Sequence, residues 1–74
     1  MQRSDEMRVL SKSKDHFCGT HKGGHIDIER EPDGRFYIMV RWTDGALLYD
    51  GWAPESVSTM VQAKREAMRG AQLD

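Results

Sequence analysis

Every histidine of the chain and its only cysteine fall within ten residues, His16-Phe17-Cys18-Gly19-Thr20-His21-Lys22-Gly23-Gly24-His25. Imidazole nitrogen and thiolate sulfur are the donors that zinc takes in tetrahedral sets, at about 2.0–2.3 Å. The glycines of this stretch would let a short loop curl round an ion. His16, Cys18, His21 and His25 are therefore the candidate metal ligands, and zinc is the cofactor they would suit. The spacing argues against that use. Structural zinc sites draw two ligand pairs from separate elements, and here only Cys18 and His21 stand at a common pair separation. The expectation is consequently no metal cofactor. Residues 16–24, with three glycines in nine, read as an exposed loop in which Phe17 plugs the core.

Three other chemistries are suggested by residue type. Cys18 has a histidine two residues before it and another three after, the parts of a cysteine nucleophile and its base. Such a pair needs a third group to hold the base and a pocket that excludes water. A small domain offers little concavity, so the chain is expected not to be an enzyme and to have no catalytic residues. Asp27, Glu29, Glu31 and Asp33 alternate along a strand and into a turn, which suits a solvated strand face paired with Arg35 and Arg41 better than a hard-cation site. The run from Gly19 to Gly24 has the glycines of a phosphate-cradling loop, but it matches no complete P-loop and leads into a strand where a helix is required.

The elements that must position these groups follow from periodicity. His25 to Glu31 alternates, with Ile26 and Ile28 on one face and His25, Asp27 and Glu29 on the other, a half-buried strand. Glu31-Pro32-Asp33-Gly34 has the chemistry of a type I turn with a bulge. Arg35 to Trp42 is the second strand: Phe36, Ile38, Val40 and Trp42 point one way, and Arg35, Tyr37, Met39 and Arg41 the other. Pairing Glu31 with Arg35 sets Ile28 beside Ile38 and Ile26 beside Val40. Thr43-Asp44-Gly45 turns the chain into a third strand, Ala46 to Trp52. Its register is open, because a two-residue turn places Leu47 and Tyr49 on the core face whereas a bulged turn places Leu48 there. Pro54 and Glu55 look like a helix entrance. Val57, Met60, Val61, Ala67 and Met68 recur at helical spacing, and Gly70 stands where a left-handed cap is wanted.

The predicted architecture is α+β: a three-stranded antiparallel meander (about 25–31, 35–42 and 46–52) with one C-terminal helix (about 55–69) packed on one face. Residues 1–15 form a flexible or edge-pairing N-terminal arm, and residues 16–74 a single small domain. Phe36, Ile38, Val40, Ile26, Ile28, Met60, Val61 and Ala67 are expected to be buried together.

With 74 residues, 38% hydrophobic and 31% charged, the chain has no apolar run of the length that a membrane span needs and no hydrophobic segment like that of a secretory signal. It reads as soluble and cytoplasmic. One cysteine permits no internal disulfide. Eleven basic against twelve acidic residues is not the balance of a non-specific nucleic-acid binder, and no small-molecule substrate is evident.

The sheet face turned away from the helix carries the clearest functional signal. It presents Tyr37 and Met39 with further apolar groups, rimmed by charges, which is the signature of a contact surface. Burial of that face under the N-terminal arm, through Met7, Val9 and Leu10, is the competing reading. The order strand, turn, strand, turn, strand, helix, with Gly34-Arg35-Phe36, Val40-Arg41, Gly45, Gly51-Trp52, Ala63, Ala67 and Gly70, resembles the three-stranded DNA-binding domains of plant ethylene-response factors and phage integrase arms. That resemblance covers residues 25–71 and implies a sheet laid in the major groove, with Arg35, Tyr37 and Arg41 facing DNA; in a DNA-binding reading Lys12 and Lys14 of the arm would add backbone contacts. Asp27 and Glu29 depart from it, since those families are rich in arginine there. The short length and the tail AKREAMRGAQL resemble small proteins of bacteria and their phages, a resemblance that implies no biochemical activity but makes host-interaction or anti-defence inhibitors a class to consider. The leading expectation is a non-enzymatic binding module that contacts a protein, either a second copy or a host complex, through Arg35, Tyr37, Met39 and Arg41. DNA binding by the same face is the alternative.

Overall fold

The computed structural model of the chain describes residues 7–73. Five strands, β1 (Arg8–Lys12), β2 (His16–His21), β3 (Gly24–Arg30), β4 (Phe36–Trp42) and β5 (Leu47–Trp52), precede one helix, α1 (Met60–Gly70). The strands form a single antiparallel sheet in sequence order. The class is α+β with one C-terminal helix, but the sheet has five strands and not three.

The central hairpin has the register that its apolar pattern dictates: Ile28 opposes Ile38 and Ile26 opposes Val40. Glu31 N–H donates to the Arg35 carbonyl at 2.7 Å, and Gly34, at φ 91°, donates to the Glu31 carbonyl. The next turn repeats this geometry: Trp42 N–H donates to the Ala46 carbonyl at 2.8 Å, and Gly45 sits at φ 94°. Both are three-residue turns whose glycine supplies the left-handed residue. Arg41 then opposes Leu47, but a bulge follows, so that Tyr49 opposes Val40. The bulge settles the open register: Tyr49 takes the helix-facing position while Leu47 stays on the face of Arg41.

The expected loop at residues 16–24 is replaced by β2 and a tight turn. Residues 16–21 alternate half-buried and buried, and the two-residue turn Lys22-Gly23 has positive φ at both positions, 50° and 87°. That is a type I′ hairpin. Gly19 belongs to the strand because β1 runs close alongside it: a Cβ there would lie 2.6 Å from the Arg8 carbonyl oxygen and 2.9 Å from the Phe17 ring. Glycine marks close approach here, not a loop.

The helix also starts later than expected. Residues 55–58 are turn and coil, and Thr59 is the N-cap; its hydroxyl accepts from Gln62 N–H while the Gln62 side chain accepts from Thr59 N–H. This reciprocal capping box fixes the entrance. Successive residues turn about 100°, so a helix that buries Ala63 and Ala67 carries Val61 away from the sheet. Val61 is 59% exposed and leaves the expected core, and Met60 is only partly buried. Phe17, Ala53, Ala71 and Leu73 join Ile26, Ile28, Phe36, Ile38 and Val40 in it.

Gly70 is not the cap. The left-handed residue is Gln72, at φ 61°. Leu73 N–H donates to the Met68 carbonyl and Gln72 N–H to that of Arg69, which is the Schellman pattern. Gly70 is instead the place where the Tyr49 ring lies against the helix. The Tyr49 hydroxyl donates to Glu66 at 3.0 Å, and Glu66 also accepts the Arg69 guanidinium at 2.8 and 2.9 Å.

Alanine at the end of a helix normally gains up to about 1 kcal/mol over glycine. Here a methyl group would collide with a ring held by its own hydrogen bond, a class of overpacking that costs about 1–3 kcal/mol. Gly70→Ala is expected to destabilise the protein in urea unfolding, and the same substitution in a Tyr49→Ala background to be neutral or stabilising.

Arg69 holds the Glu66 carboxyl below its ordinary value of 4.5, with burial opposing and the Tyr49 hydroxyl assisting. A depressed folded-state pKa contributes stability that is present above the unfolded value and is lost as pH falls through the folded one. Glu66→Gln should therefore flatten the loss of stability below about pH 4.5 in thermal melts while leaving neighbouring pH values parallel.

Candidate functional site

The face opposite α1 is built from alternate residues of four strands, since side chains two apart share a face. One row across it is His16, Glu29, Tyr37 and Trp52. The next is Cys18, Asp27, Met39 and Asp50, and a third is Thr20, His25, Arg41 and Leu47. Arg35, Tyr37, Met39 and Arg41, the expected contact residues, thus stand on one face with His16, Cys18 and His25.

On the β4–β5 side this face is aromatic and cationic. Tyr37 and Trp52 meet edge to face with ring centroids 5.1 Å apart, and the Arg35 guanidinium lies 4.6 Å over the Trp52 ring. The Tyr37 hydroxyl donates to Asp50, a bond that raises the phenol above its ordinary value. Trp52 remains 47% exposed and Leu47 55%. Val9 and Leu10 of the N-terminal arm are themselves 49% and 53% exposed, because β1 pairs along the edge of β2. Met7 packs against the core cluster, and residues 1–6 lie outside the described residues.

On the β2–β3 side the face is a cluster of donors. His16 Nε2 stands 3.0 Å from an Asp27 carboxylate oxygen, and Cys18 Sγ stands 3.2 Å from His25 Nε2. Cys18 opposes Asp27 directly, whereas both short contacts join a β2 residue to the β3 residue two places before its own partner. A uniformly twisted sheet brings together one of the two diagonals at every row. Beside the cluster lies a groove of about 750 Å³ lined in part by Thr20, His25, Asp27, Met39, Arg41 and Trp42.

His21, the remaining sequence candidate, is parted from the others. Odd-numbered positions of β2 face the helix, so His21 is 91% buried there, and its Nδ1 has no hydrogen-bond partner among the described residues. In its place the structure supplies Asp27. A loop at residues 16–21 conceals its membership; with those residues as a strand, the two-residue Lys22-Gly23 turn sets His21 opposite Gly24 and hence Cys18 opposite Asp27.

The Cys18–His25 contact has the parts of a nucleophile and base, but its surroundings disfavour a thiolate. Burial pushes the Cys18 thiol above its ordinary value, and the charge of Asp27 raises it further. The cluster also lies on a solvated sheet face and not in an enclosed pocket. Nucleophilic cysteines are activated by the opposite environment.

Among the described residues no helix is long and apolar enough to cross a membrane. Comparison with protein-family models, with curated proteins and with solved structures finds no match to this chain.

The reactivity of Cys18 tests this electrostatic account. Alkylation of the folded protein by iodoacetamide at pH 8 should be slower than that of the urea-unfolded chain. Asp27→Asn should accelerate the folded-state reaction by removing the second of the two causes.

Proposed function

We propose that the chain is a non-enzymatic binding module whose outer sheet face engages protein, and that a second copy of the chain is the occupant the face fits best. The observation that carries this reading is the Arg35–Trp52–Tyr37 stack: two aromatic rings and a guanidinium, the residue types that dominate interface energies, held in fixed geometry with Trp52 47% exposed.

Charge favours a second copy. A twofold contact sets a surface against itself, so a face of one sign would repel, whereas this one carries Arg35 and Arg41 together with Asp27, Glu29 and Asp50. The formal net charge of −1 adds little repulsion. The same carboxylates disfavour DNA. Of the two arginines, one guanidinium stacks on Trp52, while Asp27 and Glu29 would face phosphate.

Sedimentation velocity over a concentration series tests the proposal. Wild type should self-associate, and Tyr37→Ala combined with Met39→Ala should weaken association at least about thirtyfold, the equivalent of one hot spot of roughly 2 kcal/mol. A wild type that stays monomeric at hundreds of micromolar removes the second copy as occupant. If the double variant also keeps every partner recovered with wild type, the face is not the contact surface. Fluorescence anisotropy with mixed duplexes at low salt should show no binding at tens of micromolar; salt-dependent binding there would transfer the face to nucleic acid.

A further inference from the structure

We propose that Cys18, His25 and Asp27 bind a zinc ion on the outer sheet face, with His16 positioning the Asp27 carboxylate and the fourth coordination place open to solvent. This inference rests on the geometry of the β2–β3 side of the face; Asp27 is also one of the charges of the interface reading, but the inference does not require that reading.

The sulfur of Cys18, a ring nitrogen of His25 and a carboxylate oxygen of Asp27 all lie within 4.8 Å of one another, and Cys18 Sγ and His25 Nε2 are 3.2 Å apart. Tetrahedral zinc bonds of about 2.0–2.3 Å set donors roughly 3.3–3.7 Å from each other, so side-chain rotation of a few tenths of an ångström to about an ångström closes the set. The backbone need not move, because Cys18 and Asp27 are a direct cross-strand pair.

The spacing that argued against metal in a loop argues for it in a hairpin. Cys18 lies on one strand and His25-x-Asp27 on the next, and the two-residue period turns all three donors, with His16 beside them, to one face. His16 Nε2 stands 3.0 Å from an Asp27 carboxylate oxygen, the histidine–carboxylate support that outer partners give to metal ligands.

Donor chemistry selects the ion. A thiolate and an imidazole do not suit magnesium or calcium, which take oxygen. Copper(I) prefers several soft sulfurs, and this cluster offers one. One thiolate, one imidazole and one carboxylate form the mixed set that zinc accepts.

Cobalt(II) titration of the tag-free, full-length protein is the test, since cobalt substitutes for zinc and reports thiolate and geometry by its absorption. The expected result is saturation at one equivalent, with a thiolate charge-transfer band and the visible bands of a four-coordinate ion, all displaced by zinc. Cys18→Ser should abolish the charge-transfer band, and His25→Gln and Asp27→Asn should prevent saturation at the wild-type concentration. His16→Gln should weaken binding about 10–100-fold. His21→Asn should bind as wild type, because His21 lies on the opposite face. Circular dichroism of each variant separates lost binding from lost folding; should Cys18→Ser fail to fold, His25→Gln with zinc competition against a colorimetric chelator takes its place. Absence of a saturable band, a band indifferent to Cys18→Ser, or binding lost in folded His21→Asn would overturn the proposal.

Discussion

A single helix of eleven residues has to cover one face of a five-stranded sheet, and much of the structure is arranged around that mismatch. Such a helix is about 16 Å long and about 10 Å across, whereas five strands spread over roughly 19 Å between their outer axes. The helix lies against β3, β4 and β5. Where it presses closest the chain places Ala63, Ala67 and Gly70, the last of these under the Tyr49 ring. Where it does not reach, large side chains fill the gap. Phe17 on β2 is 1% exposed, with the Lys64 ammonium 4.8 Å over its ring, and Leu73 turns back from the Schellman end of the helix onto Gly24.

The same mismatch explains which parts of the fold were legible in the sequence. The β3–β4 hairpin was readable because Ile26, Ile28, Ile38 and Val40 alternate without interruption and Pro-Asp-Gly fixes the turn. β2 was hidden because its helix-facing positions are Phe17, Gly19 and His21. Only one of them is an apolar side chain, and the glycine is dictated by the approach of β1, which no local pattern shows. The start of α1 was misplaced because Val57 continues the apolar period beyond the capping box, so that the Ser58/Thr59 to Gln62 hydrogen bonds, not hydrophobicity, decided the boundary. Gly70 has the same residue type a cap requires, and only the position of Tyr49 across the sheet separates the two roles. The donor cluster was largely visible: His16, Cys18 and His25 stand out as ligand types, and Asp27, legible only as one of a row of strand carboxylates, joins them once β2 is paired with β3.

One covering layer leaves the other face of the sheet open, and its side chains are organised by cross-strand pairing instead of by a core. Two halves result. β2 and β3 hold the polar donors His16, Cys18, His25 and Asp27 in diagonal contacts of a common sense, and β4 and β5 hold the aromatic stack. The Asp27–Met39 and Glu29–Tyr37 pairs form the seam between them. Without β2, His25 and Asp27 would stand on an edge strand with no partner groups; with it, the two pairs face each other across a hydrogen-bonded ladder.

Both edges of the sheet carry features that discourage pairing with another chain. β1 is short, with every residue at least partly exposed, includes Arg8 and Lys12, and its register slips between Val9 and Ser11. β5 has a slip of its own opposite Val40 and Arg41, and contains Asp50 and Gly51. Bulges, charges and short length are the means by which edge strands are kept from adding further strands. An edge so interrupted gives a second chain no continuous row of backbone donors and acceptors. The proposed association is thereby directed away from strand addition and toward the open face, where the groups on offer are side chains: the Arg35–Trp52–Tyr37 stack on one half and the thiol, imidazole and carboxylate donors on the other.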